Sequence, residues 1–286
     1  MSYYIKYPSK NNNVTELWSA VRLPFEPKGW LLDMKKDLKD AIREMSPNDG
    51  KILYASYNSP NQGFCDIDNI LFYNVGPGVF KHICQTGFLM ERGYQNVVMP
   101  VEGQEEYTHY QQYSFAEKAQ KSRYWKEKRV LASWKEIVLE KMPEKPHQYW
   151  RIMKENRVLV DALPYTGQYG IEIVMHLPYD FRQNFAGLIR AMLDGIIASL
   201  HSYSGAYLNE VSQRLATVLD DQPEAISTLL LDQNRAVLGN RCLVHPFGDF
   251  VQWNPADDQC VFIKLTNDFI SENRITMDGT VFSVIS

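Results

Sequence analysis

The chain lacks most of the features that announce a function. Cysteine is scarce, with four in 286 residues, too few in a chain this long for a disulfide scaffold. Reduced thiols and a cytoplasmic location are therefore expected. No apolar run approaches the ~18–20 residues a membrane span needs, and Met1-Ser2-Tyr3-Tyr4-Ile5-Lys6 has no signal-peptide core. No membrane role is expected. An excess of one charge is missing too. The 30 Lys and Arg against 34 Asp and Glu leave a net charge of -4, which argues against indiscriminate nucleic-acid binding but allows a local basic patch. There is no G-x-x-x-x-G-K-S/T loop, no G-x-G-x-x-G after a strand, no G-x-S-x-G elbow and no H-E-x-x-H helix. Nucleotide-driven motors, dinucleotide oxidoreductases, α/β-hydrolases and zincins are disfavoured accordingly.

What is present suffices for a large core: 45% of the residues are hydrophobic and 22% charged. Leu17 to Leu23 reads as a strand closed by Pro24. Pro27 suits the first turn of a helix, and Leu31, Met34, Leu38 and Ile42 recur at helical spacing on one face. Lys51 to Tyr57 is a second strand. Phe64 to Tyr73, entered through Asp66-Ile67-Asp68-Asn69, reads as a third. Further on the logic returns. Ile173 to Leu177 is a strand closed by Pro178, and Asp180 and Gln183 form a capping box. Phe185, Leu188, Met192 and Ile196 make a stripe, and Asp257-Asp258-Gln259 leads into an apolar run. Pro24 and Pro178, like Ile42 and Ile196, stand 154 residues apart, whereas Asp68 and Asp258 stand 190 apart. The excess fits an insertion at 205–240, where Leu208, Val211, Leu215 and Val218 mark one helix and Ala225 to Leu231 a second.

The expected fold is α+β: two pseudo-repeated strand–helix–strand halves around a mixed or antiparallel sheet, with a charged aromatic middle segment. The corresponding division is 1–100, 101–157 and 158–286. The plainer alternative is that any two such units match this well by chance. Between the halves, Asn96 to Met99 suggests a short strand and Tyr149 to Val160 a pair of strands.

Three places could carry chemistry. If the pseudo-repeats pair, Asp66, Asp68, Asp257 and Asp258 converge, and such carboxylates can hold Mg²⁺ or Mn²⁺ and activate water against a phosphate. Ordinary turn formation explains the same residues without a metal. The quartet Asp66-Ile67-Asp68-Asn69 resembles the D-x-D-N motif of RusA-type Holliday-junction resolvases. Leu193-Asp194-Gly195 with the later acidic turn and strand, Asp257 to Lys264, is similar to that family's second element. The resemblance implies a Mg²⁺-dependent endonuclease acting on branched DNA as a dimer. The family carries a Lys three residues past the motif, where this chain has Phe72.

The second place is basic and aromatic. Lys121, Arg123, Tyr124, Trp125, Lys128, Arg129 and Trp134 combine cations for phosphates with ring faces for unpaired bases, and would equally suit a protein partner. A solvated face anchored by its tryptophans is the structural explanation. The third is a loose set of thiols: Cys242 and His245 with Cys260 downstream, and Cys65 with His82 and Cys84. No pair of Cys-x-x-Cys knuckles backs a zinc site. Because no catalytic constellation is complete, the leading expectation is a non-catalytic binding or assembly protein, a monomer or a homo-oligomer, that engages a protein or nucleic acid without a cofactor. The alternative is a nuclease using clustered aspartates.

Overall fold

Strands alternate with helices along this computed structural model, which describes residues 2–61, 63, 66–100, 107–182 and 185–286. In chain order the strands are β1 (Tyr3–Lys6), β2 (Thr15–Ser19), β3 (Lys51–Asn58), β4 (Gly87–Gly93), β5 (His109–Glu117), β6 (Lys126–Leu139), β7 (Leu159–Val160) and β8 (Tyr169–Pro178). Two short pairs follow, β9 (Ser202–Tyr203) with β10 (Asn240–Arg241) and β11 (Val244–Phe247) with β12 (Phe250–Trp253). The chain ends on β13 (Cys260–Ile270) and β14 (Ile275–Ile285). The helices are α1 (Trp30–Arg43), α2 (Pro146–Glu155), α3 (Ile189–Ser199), α4 (Leu208–Leu219) and α5 (Pro223–Leu230). The α+β expectation is met. No helix among the described residues is long and apolar enough to cross a membrane.

One sheet carries the architecture, in the order β1-β2-β5-β3-β4-β13-β8-β14-β6-β7. Its strand directions are palindromic. The central pair β4/β13 is antiparallel, and each is flanked by a parallel neighbour, β3 or β8. Each of these has an antiparallel neighbour, β5 or β14, and then another, β2 or β6. In this pattern α1, joining β2 to β3 across β5, has its counterpart in α2, joining β6 to β8 across β14. The expected repeat set α1 against α3 instead. That match fails because an apolar stripe after Leu-Pro describes any half-buried helix. α3 links the parallel neighbours β8 and β13, which is the place held in the first half by a π-helical turn, Asn69–Tyr73, and a 3₁₀ turn, Pro77–Phe80.

Side chains alternate across the sheet. Leu53, Ala55 and Tyr57 of β3 join the main core with Met34, Leu38 and Ile42 of α1, Tyr149 and Met153 of α2, and Met192 and Ile196 of α3. The opposite face carries a smaller cluster that includes Tyr54, Leu89, Phe262 and Phe282, with Trp125 against it. The two helices expected within 205–240 are present as α4 and α5, whose Val211, Leu215, Ile226 and Leu230 pack with Trp150 and Ala198.

Four expectations are corrected. Phe64 to Tyr73 is no strand: residues 67–73 are helical, and Ile70, Leu71 and Phe72 are all buried, so the run is apolar for want of a solvent face. Phe64 and Cys65 lie outside the described residues. Tyr149 to Val160 holds most of α2 and then β7, because Pro146 opens a helix. No strand forms at Asn96 to Met99. The segment 101–157 is no separate unit, since β5 lies between β2 and β3 and β6 lies beside β14. The capping box at Asp180 and Gln183 cannot be assessed, because residue 183 lies outside the described residues.

Candidate functional site

The antiparallel seam between β4 and β13 decides where the acidic residues go. β3 runs with β4 and β13 runs against it, so the end of β3 and the beginning of β13 share one end of the sheet. Chain leaving β3 passes Asp66 and Asp68 at the start of the helical turn. Chain entering β13 passes Asp257 and Asp258 in a 3₁₀ turn, Asp257–Gln259. The carboxylates anticipated from the sequence therefore meet, by strand direction and not by the expected repeat. A fifth joins them. α3 is otherwise almost wholly apolar and buried, yet it carries Asp194 into the same place, one turn after Arg190. Gly195 makes that placement possible, since a Cβ there would stand 2.3 Å from the Pro146 carbonyl of α2.

Hydrogen bonds tie the cluster together only in part. Asn69 Nδ2 donates to Asp66 Oδ2 at 2.6 Å, and Arg190 Nη1 donates to Asn69 Oδ1 at 3.1 Å. The Arg190 guanidinium also lies 3.6 Å from Asp194 and 4.4 Å from the Tyr73 ring centroid. The Asp258 backbone N–H donates to Asp257 Oδ1 at 3.1 Å. Asp66 Oδ1 and Asp258 Oδ1 are buried without a hydrogen-bond partner among the described residues, although Arg241 pairs with Asp258 electrostatically at 3.5 Å.

Such crowding resists ionisation. Burial, then the neighbouring Asp66, Asp68 and Asp194, push Asp257 up to about 8. Burial and Asp68 take Asp194 to about 7. Burial and Asp66 take Asp68 to about 6. Asp66 is raised as well, by burial and Asp258 against the Asn69 hydrogen bond. The site holds more carboxylate than its surroundings can keep charged at neutral pH. Among the described residues, no three His, Cys, Asp or Glu side chains stand close enough to grip a metal ion unaided.

Two cavities open over this floor. One, of about 710 Å³, is lined by Arg22, Phe25, Asp66, Tyr73, Arg190 and Phe247, among others. The other, of about 600 Å³, is lined by Lys145, Arg190, Asp194, Arg214 and Phe250, among others. Arg190 and Gln252 belong to both walls, so the two adjoin along one cleft; of the clustered carboxylates Asp66 lines the first half and Asp194 the second, with guanidinium groups beside them.

The basic-aromatic residues are elsewhere, in the connection from β5 to β6 and on β6 itself. Trp134 is buried in the main core. Its indole occupies the space a side chain at Gly279 would need. Arg123 lies 4.2 Å from the Tyr54 ring centroid, and its backbone N–H donates to the fully buried Glu91. Arg129 pairs with Asp161 at 3.4 Å. Tyr124 is half-buried, and its ring closes over Gly93. Trp125 Nε1 donates to the Arg92 carbonyl at 2.7 Å. Lys121 and Lys128 remain exposed, and with Trp125 and Lys264 they line a separate cavity of about 560 Å³. Most of this set holds the fold. Trp125→Phe removes that indole hydrogen bond together with part of the ring packed on the Tyr54 cluster, and we expect a loss of about 1–2 kcal/mol, read as a lower urea midpoint. The thiols do not gather either: Cys84 and Cys260 are buried, Cys242 is exposed, and Cys65 lies outside the described residues.

Sequence reasoning quoted Asp194 only within the resolvase-like second element, and it did not place Arg190 or the exposed Phe247 and Phe250 at the site. A charged pair one turn apart in a helix without a polar face was the available signal for the first two. In comparison with known proteins, the chain matches no family model, no curated sequence and no solved structure.

Proposed function

We propose that the protein is a divalent-metal-dependent nuclease, with one or two carboxylates of the Asp66, Asp68, Asp194 and Asp257 cluster holding Mg²⁺ or Mn²⁺ beside the cleft. One observation carries this reading: four carboxylates from three separate elements share a largely buried site in which burial and mutual repulsion hold every one of them above its ordinary pKa. A divalent cation relieves that repulsion as no single side chain can. Mg²⁺ needs only one or two carboxylates when waters and substrate phosphate oxygens complete its shell, so a preformed cage is not required. The cation would lower the pKa of a bound water and offset charge on the phosphate, and hydrolysis would add that water across one P–O bond. Guanidinium groups on the walls suit a phosphate backbone. The resolvase-like quartet Asp66-Ile67-Asp68-Asn69 agrees with this reading, and its Asn69 links Asp66 to Arg190.

The test is Mg²⁺- or Mn²⁺-dependent cleavage of single-stranded and branched DNA and RNA, abolished by Asp68→Asn. No cleavage of any of these substrates with either metal overturns it. The second reading is a non-catalytic binding protein, engaging nucleic acid or a protein partner through the same cleft. Its supporting observation is that no three ligating side chains are gathered among the described residues. Retained binding without any metal-dependent hydrolysis is the outcome it requires.

A further inference from the structure

Two phenylalanines at the tip of the β11–β12 hairpin stand out because the fold does not use them. Phe247 is 64% exposed and Phe250 is 69% exposed. Each lines one half of the cleft, Phe247 beside Asp66 and Phe250 beside Asp194. On the opposite bank Phe25, 59% exposed, stacks on Tyr73 with ring centroids 5.6 Å apart and planes within 7°. The hairpin tip is held in place. Arg214 Nη1 donates to the carbonyls of Gly248 and Phe250 at 2.5 and 2.7 Å, and its other nitrogen pairs with Glu210 at 2.5 Å. Three ring faces thus point to solvent around a groove whose walls also carry Arg22, Arg190 and Lys145.

Exposed apolar rings flanked by cations match one ligand chemistry well: a phosphate backbone whose bases are unstacked. A duplex hides its base faces and would meet these rings with its edges only. A single strand offers a π-face at every nucleotide, and base–aromatic stacking contributes about 1–3 kcal/mol per base. A tip fixed before binding loses little conformational freedom on binding. Resting on the nucleic-acid reading of the cleft, we infer that its substrate is a single, unpaired strand, with bases laid on Phe247, Phe250 and Phe25 and the backbone carried past Arg190 over the acidic floor. The hairpin tip is then the element that separates adjacent bases.

The test is fluorescence anisotropy with the full chain in EDTA at low salt. The probes are a labelled oligo(dT) of about twenty nucleotides and the oligo(dT)·oligo(dA) duplex of the same length. We expect the single strand to bind at least about 10-fold more tightly than the duplex. Phe247→Ala with Phe250→Ala should weaken single-strand binding about 10- to 100-fold, with little effect on melting temperature because both rings are exposed. Equal affinity for the two probes, no binding to either, or an unchanged affinity of the double variant overturns the inference. Because no metal is present, the outcome is separate from the cleavage assay. Absent hydrolysis leaves strand selection intact, and an inert double variant leaves hydrolysis at the carboxylates intact.

Discussion

Asp257→Asn will make the protein more stable at pH 8 in EDTA, by roughly 2–3 kcal/mol, while removing its response to Mg²⁺. The sign follows from the direction of the shift. Asp257 is raised from 3.8 to about 8, so between those values the folded chain keeps a proton that the unfolded chain has released. Stability therefore falls as pH rises through this window and carries the full penalty at pH 8, whereas below about pH 4 there is none. Asn has no proton to lose and can still accept the Asp258 N–H, so the variant escapes the penalty. Each pKa unit corresponds to 1.36 kcal/mol. The expected gain is set below the full shift because Asp257 is only partly buried and solvent screens part of the repulsion. Asp68 steepens the wild-type decline between about pH 4 and 6, and Asp194 between about pH 4 and 7. A cation bound among them restores stability, by about 2.7 kcal/mol at one hundred times its dissociation constant. Thermal melts of both proteins at pH 5 and 8, with and without Mg²⁺, decide the matter. A wild-type midpoint that ignores both pH and Mg²⁺ is incompatible with a strained carboxylate site.

The same cluster shows how far the chain could be read in advance. Asp66, Asp68, Asp257 and Asp258 were legible because acidic turns before apolar runs are local patterns. Their meeting was anticipated too, but for the wrong reason: the sheet joins them through the β4/β13 seam, a pairing between residues far apart in sequence. Asp194 was legible only within the resolvase-like second element, because its significance lies in its neighbours, and those come from other elements. α1, α4 and α5 were legible from three-and-four spacing. Ile70-Leu71-Phe72-Tyr73 was not, because a segment buried on every side loses the periodicity that separates strand from helix. Trp134 misled in the opposite way. Among Lys126, Lys128 and Arg129 it resembles a stacking ring, yet strand alternation turns it inward onto Gly279. Composition reports neighbours along the chain, and a strand sends alternate neighbours to opposite faces.

Gly195→Ala will destabilise the protein, although the same exchange in an open helix does the reverse. Within a helix Ala is favoured over Gly by about 1 kcal/mol, so a simple propensity argument predicts a gain. Here the new methyl would lie 2.3 Å from the Pro146 carbonyl oxygen, 2.6 Å from Tyr149 Cβ and 3.0 Å from the Trp150 backbone nitrogen. Two of these are backbone atoms, and α2 is not free to retreat. Tyr149 and Trp150 are fully buried, and Arg235 Nη1 donates to the Met153 carbonyl at 2.6 Å. Overpacking of this kind costs about 1–3 kcal/mol and occasionally more. A net loss of about 2–3 kcal/mol and a drop of roughly 4 °C in melting temperature are expected. The carboxylates should register the change as well. α3 can relieve the clash only by moving away from α2, and it carries Arg190 and Asp194 with it. Asp194 then no longer faces Asp68 at its present separation, so the fall in stability between pH 5 and 7 should become shallower than in the wild type. Urea unfolding at the two pH values separates the two effects: the loss at pH 5 reports helix packing, and the altered pH slope reports the site. If Ala at this position stabilises the chain and leaves the slope unchanged, the α2–α3 contact does not position the acidic floor.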